Sequence, residues 1–470
     1  MKSINQALLR HKTILLLGFW SMFQLPHLFL PLGGGHRWRQ ADSWAMAKNF
    51  AFEDGRFLYP RVDVRRDTEG VDAAETPFYA YTVSLFFRLF KCDCEFWGKF
   101  VSFASGLALI FILGRWLSNL HQTENFRGYF VVSIVQIFFS YSVSFMPEMF
   151  SLFFSVAGSY LLWRDYQEKK FLFLVGAVLS LIIGITSRPM QVFWGFIFFY
   201  VLYLSWKERK GHYLRYFLAG SLTLLPFLLW YFPWADYLRQ YANLRYFSRF
   251  VDHFSLRNFA LFLDPSLYIS FFQHLVGASG LPLFLLSAVG VLFSWKTRGQ
   301  NLASFFIAVF SLTFFGIVLI TQKHFIAHNY YLISLYPALA YFALLAYKHL
   351  EERKPSWAKI YIIFSFLFLF FNNAHTYRIH PDYYALKSIR DKLQADYQIT
   401  RVACEHTEYA WGLYVLRQRG FVLYSDEIRN PEIVKEVIAR GVTLFVVREE
   451  DRFQSYVAQD WLKKIIEKKS

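Results

Sequence analysis

The chain has 470 residues, 55% of them hydrophobic and 21% aromatic, with 55 phenylalanines and a net charge of +16. That apolar content and a mean hydropathy of +0.27 exclude an ordinary soluble domain and predict a polytopic membrane protein. Lys and Arg fall in short clusters between apolar runs, as membrane proteins carry them, and not in a patch suited to nucleic acid.

The N-terminal "MKSINQALLRHK" is basic and leads into an apolar run at 14–32. No small-residue cleavage pattern follows, so the run reads as a retained anchor. Further apolar runs recur at 98–116, 128–146, 149–163, 171–187, 190–205, 213–232, 273–294, 302–321, 329–347 and 358–373. Together they predict about eleven membrane spans. The segments "RWLSNLHQTENFR", "WRDYQEKK", "WKERKGHYLR", "SWKTR" and "KHLEERKPSWAK" are rich in Lys and Arg and are expected on the cytoplasmic side with the N-terminus.

"TPFYAYTVSLFFRLF", Thr76 to Phe90, would break this charge parity if it crossed. Its apolar stretch is only about 13 residues, too short for a span, and it carries Arg88, so a juxtamembrane helix at the outer interface is expected. The first loop, 33–97, and the C-terminus then both lie outside.

That outer face gathers the polar residues. "GHRWRQADSWAMAKNF" places Arg37, Arg39 and Gln40 just before Asp42, on a segment of helical periodicity. Asp42 reads either as a helix cap or surface ion pair, or as a general base held among arginines. Downstream, "GRFLYPRVDVRRDTEGVDAAETPFY" is dense in Arg and Asp, includes Arg61, and ends in Glu75-Thr76-Pro77. Glu148 sits in a "MPEM" turn between two apolar runs, where an acid is a functional candidate by default. Asp42, Glu75 and Glu148 are expected to converge on one cavity. Arg188, Lys323, His324 and His328, followed by Tyr330 and Tyr331, stand at span ends on the same face. They suit a lipid phosphate, or else are interfacial residues that snorkel. His324 and His328 share a helical face at i and i+4, but no zinc motif surrounds them.

Beyond about residue 374 the composition changes. "ITRVACEH", "RGFVLYSD" and "GVTLFVVRE" read as strands, alternating with helical patterns at 384–396, 408–419 and 431–440. A small extracytoplasmic α/β domain over 374–470 is expected, with a partly parallel sheet and no glycine-rich phosphate loop. The three cysteines, Cys92, Cys94 and Cys404, form no metal or redox framework. Cys404, His406 and Glu408 alternate at a strand end without a zinc spacing.

The first span, the loop opening with an aspartate on a juxtamembrane helix, the acid-x-Pro element and the later turn with an acid resemble the GT-C superfamily of membrane glycosyltransferases. More narrowly, "RQAD", "YPRVD" and their surroundings look like bacterial family 39 members. These are relatives of the protein O-mannosyltransferases and of the aminoarabinose transferase acting on lipid A. The resemblance covers roughly 10–350 and is most specific over 36–90. It implies a GT-C-like transmembrane domain over 1–373 and transfer of a sugar, with inversion, from a polyprenyl-phosphate carrier to a cell-envelope acceptor. The acceptor is a glycan, lipid or protein.

By the same resemblance Asp42 is the general base, Glu75 matches the acid before the proline element, and Glu148 matches the second acid by loop order. Arg188, Lys323, His324, His328 and Tyr330 are then candidates for the donor phosphate, and Arg39, Gln40 and Arg61 for positioning the acceptor or the loop. In the lipid A branch a lysine commonly follows the first acid. Thr76 stands there instead, which counts against lipid A. A divalent metal is left open, and a monomer in a bacterial inner membrane, with its site on the periplasmic side, is expected. A lipid-linked glycan flippase, or a polymerase or ligase using a lipid-diphosphate donor, is the alternative. The clustering of polar residues on one face, without an internal repeat, weighs against a transporter.

Overall fold

The computed structural model describes residues 2–65, 68–72, 75–208, 213–241, 256–296, 301–321, 328–395, 401–406, 410–449 and 452–468. The chain starts with α1 (Lys2–Gln24), α2 (Arg37–Phe52), α3 (Phe78–Phe90), α4 (Glu95–Leu120), α5 (Asn125–Ser133), α6 (Gln136–Tyr141), α7 (Glu148–Glu168) and α8 (Phe171–Ser187). It continues with α9 (Phe196–Lys207), α10 (Tyr213–Leu229), α11 (Ala235–Tyr241), α12 (Pro265–Ser279), α13 (Leu281–Lys296), α14 (Asn301–Thr321), α15 (Tyr336–Arg353) and α16 (Pro355–Asn373).

Among the described residues five helical stretches are long and apolar enough to cross a membrane, or six if the pair α12–α13 counts as one. They expose Leu222, Ile363 and Phe371 to the surroundings while burying Trp116 and Trp194, the distribution of a bundle whose solvent is lipid. Two of the expected spans are not single helices. The run 273–294 bends by 114° between α12 and α13, at Gly280, whose φ of 78° ends α12. The run 128–146 breaks between α5 and α6 and ends in a turn before Glu148.

Small residues let these helices approach closely. A Cβ on Gly290 of α13 would lie 1.8 Å from the Phe342 carbonyl oxygen of α15, and one on Gly128 of α5 would lie 2.0 Å from the Gly114 oxygen of α4. Gly290→Ala is therefore expected to force the two helices apart, costing about 1–3 kcal/mol. A fall in the thermal midpoint of the detergent-solubilised protein checks this, and an unchanged midpoint would contradict it.

In the first loop, α2 and α3 lie side by side. Both form outside the main bundle core, in a second core that joins Trp44, Met46, Phe50, Tyr79 and Val83 to Leu386, Trp411, Tyr414 and Val446. The last of these belong to the C-terminal segment, which contains α17 (Pro381–Ala395), β1 (Val402–Glu405), α18 (Trp411–Leu416), β2 (Gly420–Leu423), α19 (Pro431–Ala439), β3 (Leu444–Glu449), β4 (Arg452–Val457) and α20 (Ala458–Glu467).

The sheet order is β2-β1-β3-β4. β1 is parallel to both neighbours, and β3 pairs antiparallel with β4. The strand β4 and helix α20 had no counterpart in the sequence patterns. Trp461 and Ile465 of α20 cover one sheet face with Phe421 and Phe445.

The first loop covers the open edge of this sheet. Val64 bridges to Gly420, the Gly420 amide donates to the Asp63 carbonyl at 3.1 Å, and the Arg65 amide donates to the Gly420 carbonyl at 3.2 Å. Closing an edge strand in this way removes unpaired backbone groups and ties the sheet to the loop. Side chains reinforce the joint: Arg417 pairs with Asp93 and Glu95, and its guanidinium lies 4.3 Å from the Trp44 ring centroid. The Arg37 guanidinium lies 4.7 Å from the Trp411 ring.

Trp44 lies two residues beyond Asp42, so this joint positions α2. Arg417→Ala removes a cation–π contact and charge-assisted hydrogen bonds and is expected to cost about 2 kcal/mol. Increased protease cleavage between α16 and the sheet is the expected readout, and wild-type resistance would show that the joint stands without it.

Candidate functional site

The sequence "HRWRQADSW" starts α2 through His36, held at a φ of 56°. Residues Arg39 through Ala47 then pack inside the protein. Helical spacing brings Arg39 and Asp42, three apart, onto one face. Asp42 is neither the helix cap nor part of a surface ion pair. It lies in the second turn, 3% exposed, and its Oδ1 has no hydrogen-bond partner among the described residues. Burial pushes its carboxyl well above the usual range, Asp72 adds to that, and Arg39 opposes it.

Glu75 and Glu148 reach the same place from other elements. Glu75 precedes the proline that starts α3, and Glu148 is the first residue of α7, where the helix dipole favours a carboxylate. Arg188 follows α8 in an extended conformation, φ −145°. Its Nη1 donates to Glu75 Oε2 at 2.7 Å, and its Nη2 pairs with Glu148. Glu75 Oε2 also receives Arg39 Nη2 at 2.5 Å. Two arginines are thus shared between Glu75 and Glu148, and Asp42 stands beside them, with Arg39 near enough to oppose the rise in its pKa. Glu148 Oε2 has no hydrogen-bond partner among the described residues.

The Arg188 guanidinium also lies 4.8 Å from the ring centroid of Tyr330. Tyr330 in turn packs edge-on against His36 at 4.9 Å. His36 Nε2 is 3.1 Å from Asn329 Oδ1, and the Tyr141 hydroxyl donates to the same oxygen at 2.7 Å. The His328 ring packs at a tilt against His36 and edge-on against Trp38.

The three expected acids therefore converge with Arg39, Arg188, Tyr330 and His328 around the N-terminal half of α2. Arg188, expected to face a donor phosphate, spends both terminal nitrogens on carboxylates. Gln40 acts as a brace: its Nε2 donates to the Gly33 and Gly35 carbonyls at 2.7 and 3.0 Å, and its Oε1 accepts from the Phe145 amide at 3.1 Å. Arg61 stands apart, in a network with Asp54 and Glu69, where it shapes the loop. Lys323, His324 and Glu408 lie outside the described residues.

Asp72, Tyr141 and Asn329 were not foreseen as site residues. The "AHNYY" stretch carries an amide beside two rings at a helix start, and that was the available signal for Asn329. No group of three or more His, Cys, Asp and Glu placed to hold a metal occurs among the described residues.

No protein-family model matches the sequence, and no curated protein does. Solved structures match in fold. ArnT from Cupriavidus metallidurans bound to undecaprenyl phosphate aligns at a TM-score of 0.64 and 11% identity, over 95% of this chain and 97% of that one. The archaeal oligosaccharyltransferase AglB from Archaeoglobus fulgidus, in complex with an inhibitory peptide and a dolichol-phosphate, aligns at 0.57 and 11% identity. That match covers 92% of this chain and 69% of the other. Both are members of the GT-C superfamily. At such identity the likeness concerns architecture, and the chain has the GT-C membrane fold that its first loop resembles.

Proposed function

We propose that this protein is a GT-C glycosyltransferase that moves a sugar from a polyprenyl-phosphate carrier to a cell-envelope acceptor. The observation that carries the reading is Asp42: a buried carboxylate with an unpartnered oxygen, among arginines, in a fold that holds undecaprenyl phosphate in ArnT. Asp42 takes the proton of the acceptor's hydroxyl as its oxygen attacks the anomeric carbon. The bond from that carbon to the phosphate oxygen breaks, and its electron pair leaves with the polyprenyl phosphate. Attack opposite the leaving group inverts the anomeric centre. A phosphate needs no proton to depart but does need positive potential, for which Arg188 and the Lys323-His324 segment are the candidates.

In this reading the apolar helices form about eleven crossings, the first loop and residues 374–470 face the outside of a bacterial inner membrane, and Glu75 and Glu148 hold Arg188 in place. The test is turnover of a radiolabelled polyprenyl-phosphate sugar by purified protein, with membrane extract as acceptor. Release of polyprenyl phosphate together with a labelled product supports the transferase. Movement of the lipid-linked sugar across a vesicle bilayer without transfer would favour a flippase instead.

A further inference from the structure

A cavity of about 450 Å³ lies near the carboxylate cluster without containing any of its acids. It lies between the "GGGH" start of the first loop, α6, α12 and the end of α16, and it shares His36, Tyr141 and Asn329 with the network that leads to Tyr330 and Arg188. Its volume falls in the range of roughly 300–1,000 Å³ typical of small-ligand sites.

The chemistry of its wall is specific. Glutamine, asparagine, serine, threonine, tyrosine and histidine side chains line it, and among the described residues no Asp, Glu or Arg does. Lys99 is the one Lys of the lining among the described residues, and its ammonium donates to the His27, Leu30 and Pro31 carbonyls at 3.0, 2.7 and 3.0 Å. All three of its protons are thereby committed, so Lys99 has no free donor to offer a ligand. Gln136, 5% exposed, is part of the wall, and its Oε1 has no hydrogen-bond partner among the described residues. A buried amide oxygen left in that state costs free energy unless a ligand or water satisfies it. Gly35 and Gly277 are also part of the lining, and a Cβ on either would meet no atom within 4 Å.

Neutral amides, hydroxyls and imidazoles set among Leu30, Pro31, Ile137, Val143 and Ala278 match a ligand that carries many hydroxyl groups beside apolar C–H faces and no charge. We infer that this cavity is the acceptor subsite and that it binds a neutral glycan, directing one of its hydroxyls past His36 and Asn329 towards the carboxylate cluster. The inference rests on the transferase reading and narrows its acceptor from glycan, lipid or protein to a saccharide.

Two measurements on the full chain in nanodiscs test it. The first is saturation-transfer NMR with maltotriose, cellotriose and chitotriose as probes, in the absence of donor. Wild-type protein is expected to bind at least one trisaccharide. Gln136→Leu, and Gly277→Leu, which adds a side chain to the lining at a position where a Cβ meets no atom within 4 Å, are expected to weaken it roughly tenfold, the equivalent of about one hydrogen bond. No binding by the wild type, equal binding by both variants, or displacement of the saccharide by polyprenyl phosphate would overturn the inference. The second is turnover, where both variants should raise the acceptor KM and not the donor KM. Transfer to lipid A or to peptide, without saccharide binding, overturns the acceptor inference and leaves the transferase standing. Saccharide binding with no transfer from any carrier-linked sugar overturns the transferase reading, and the acceptor role with it.

Discussion

Asp42→Asn is expected to lower kcat by about 10²–10⁴-fold, the usual contribution of a general base, with the protein still folded. The amide keeps the shape of the carboxylate but cannot take the acceptor's proton. Wild-type turnover should also carry an acid limb, because a protonated Asp42 cannot accept. Burial and Asp72 raise its pKa, so activity should fall with decreasing pH at a point above the ordinary aspartate value of about 3.9.

The same shift has a consequence for stability with a definite sign. A native pKa above the unfolded one means that the native state binds the proton more tightly. That contribution is complete below the unfolded pKa and is lost as pH rises through the native one. Above its native pKa the ionised Asp42 therefore destabilises the fold, and there Asp42→Asn should raise the thermal midpoint while lowering turnover. Unchanged turnover in the variant would remove Asp42 from the chemistry and move attention to Glu75 and Glu148.

The second large effect is expected at Arg188. Its two Nη atoms hold Glu75 and Glu148, both less than a tenth exposed. Arg188→Gln leaves Glu148 without its cation and Glu75 with Arg39 alone, and breaking a buried pair in this way costs about 3–5 kcal/mol. Folded yield should drop sharply. Adding Glu148→Gln removes the stranded charge and should restore yield. Restored yield without turnover would show that Arg188 also acts on the reaction, through its position against Tyr330. Restoration of both would confine Arg188 to a structural role.

Much of the architecture was legible because it depends on composition over long windows. Apolar runs are costly to place anywhere but in lipid or a core, so a membrane protein of several apolar helices can be read from the chain alone. The short Thr76–Phe90 segment was separable from the spans because its length and Arg88 do not suit a crossing, and α3 is a helix of 13 residues. The bend at Gly280 was not legible, since a glycine within an apolar run reads equally as a packing contact, and only its positive φ turns the chain. Strand β4 and helix α20 escaped because "RFQSYV" is half polar, as an edge strand is, and so lacks a hydrophobic signature.

At the site, the residue types were readable one by one. Asp42, Glu75 and Glu148 stood out because acids near a bilayer are rare without a use, and Arg188 because it ends an apolar run. The sequence by itself thus determined a membrane protein of many helices with acids and bases gathered in its loops. Only the tertiary structure decided that Arg188 serves two carboxylates, that Asp72 stands close enough to shift Asp42, and that the C-terminal sheet grips α2 through Trp44. The physical reason is distance. Electrostatic and packing energies fall off over a few ångströms, and residues separated by up to hundreds of positions enter that range only when the helices assemble.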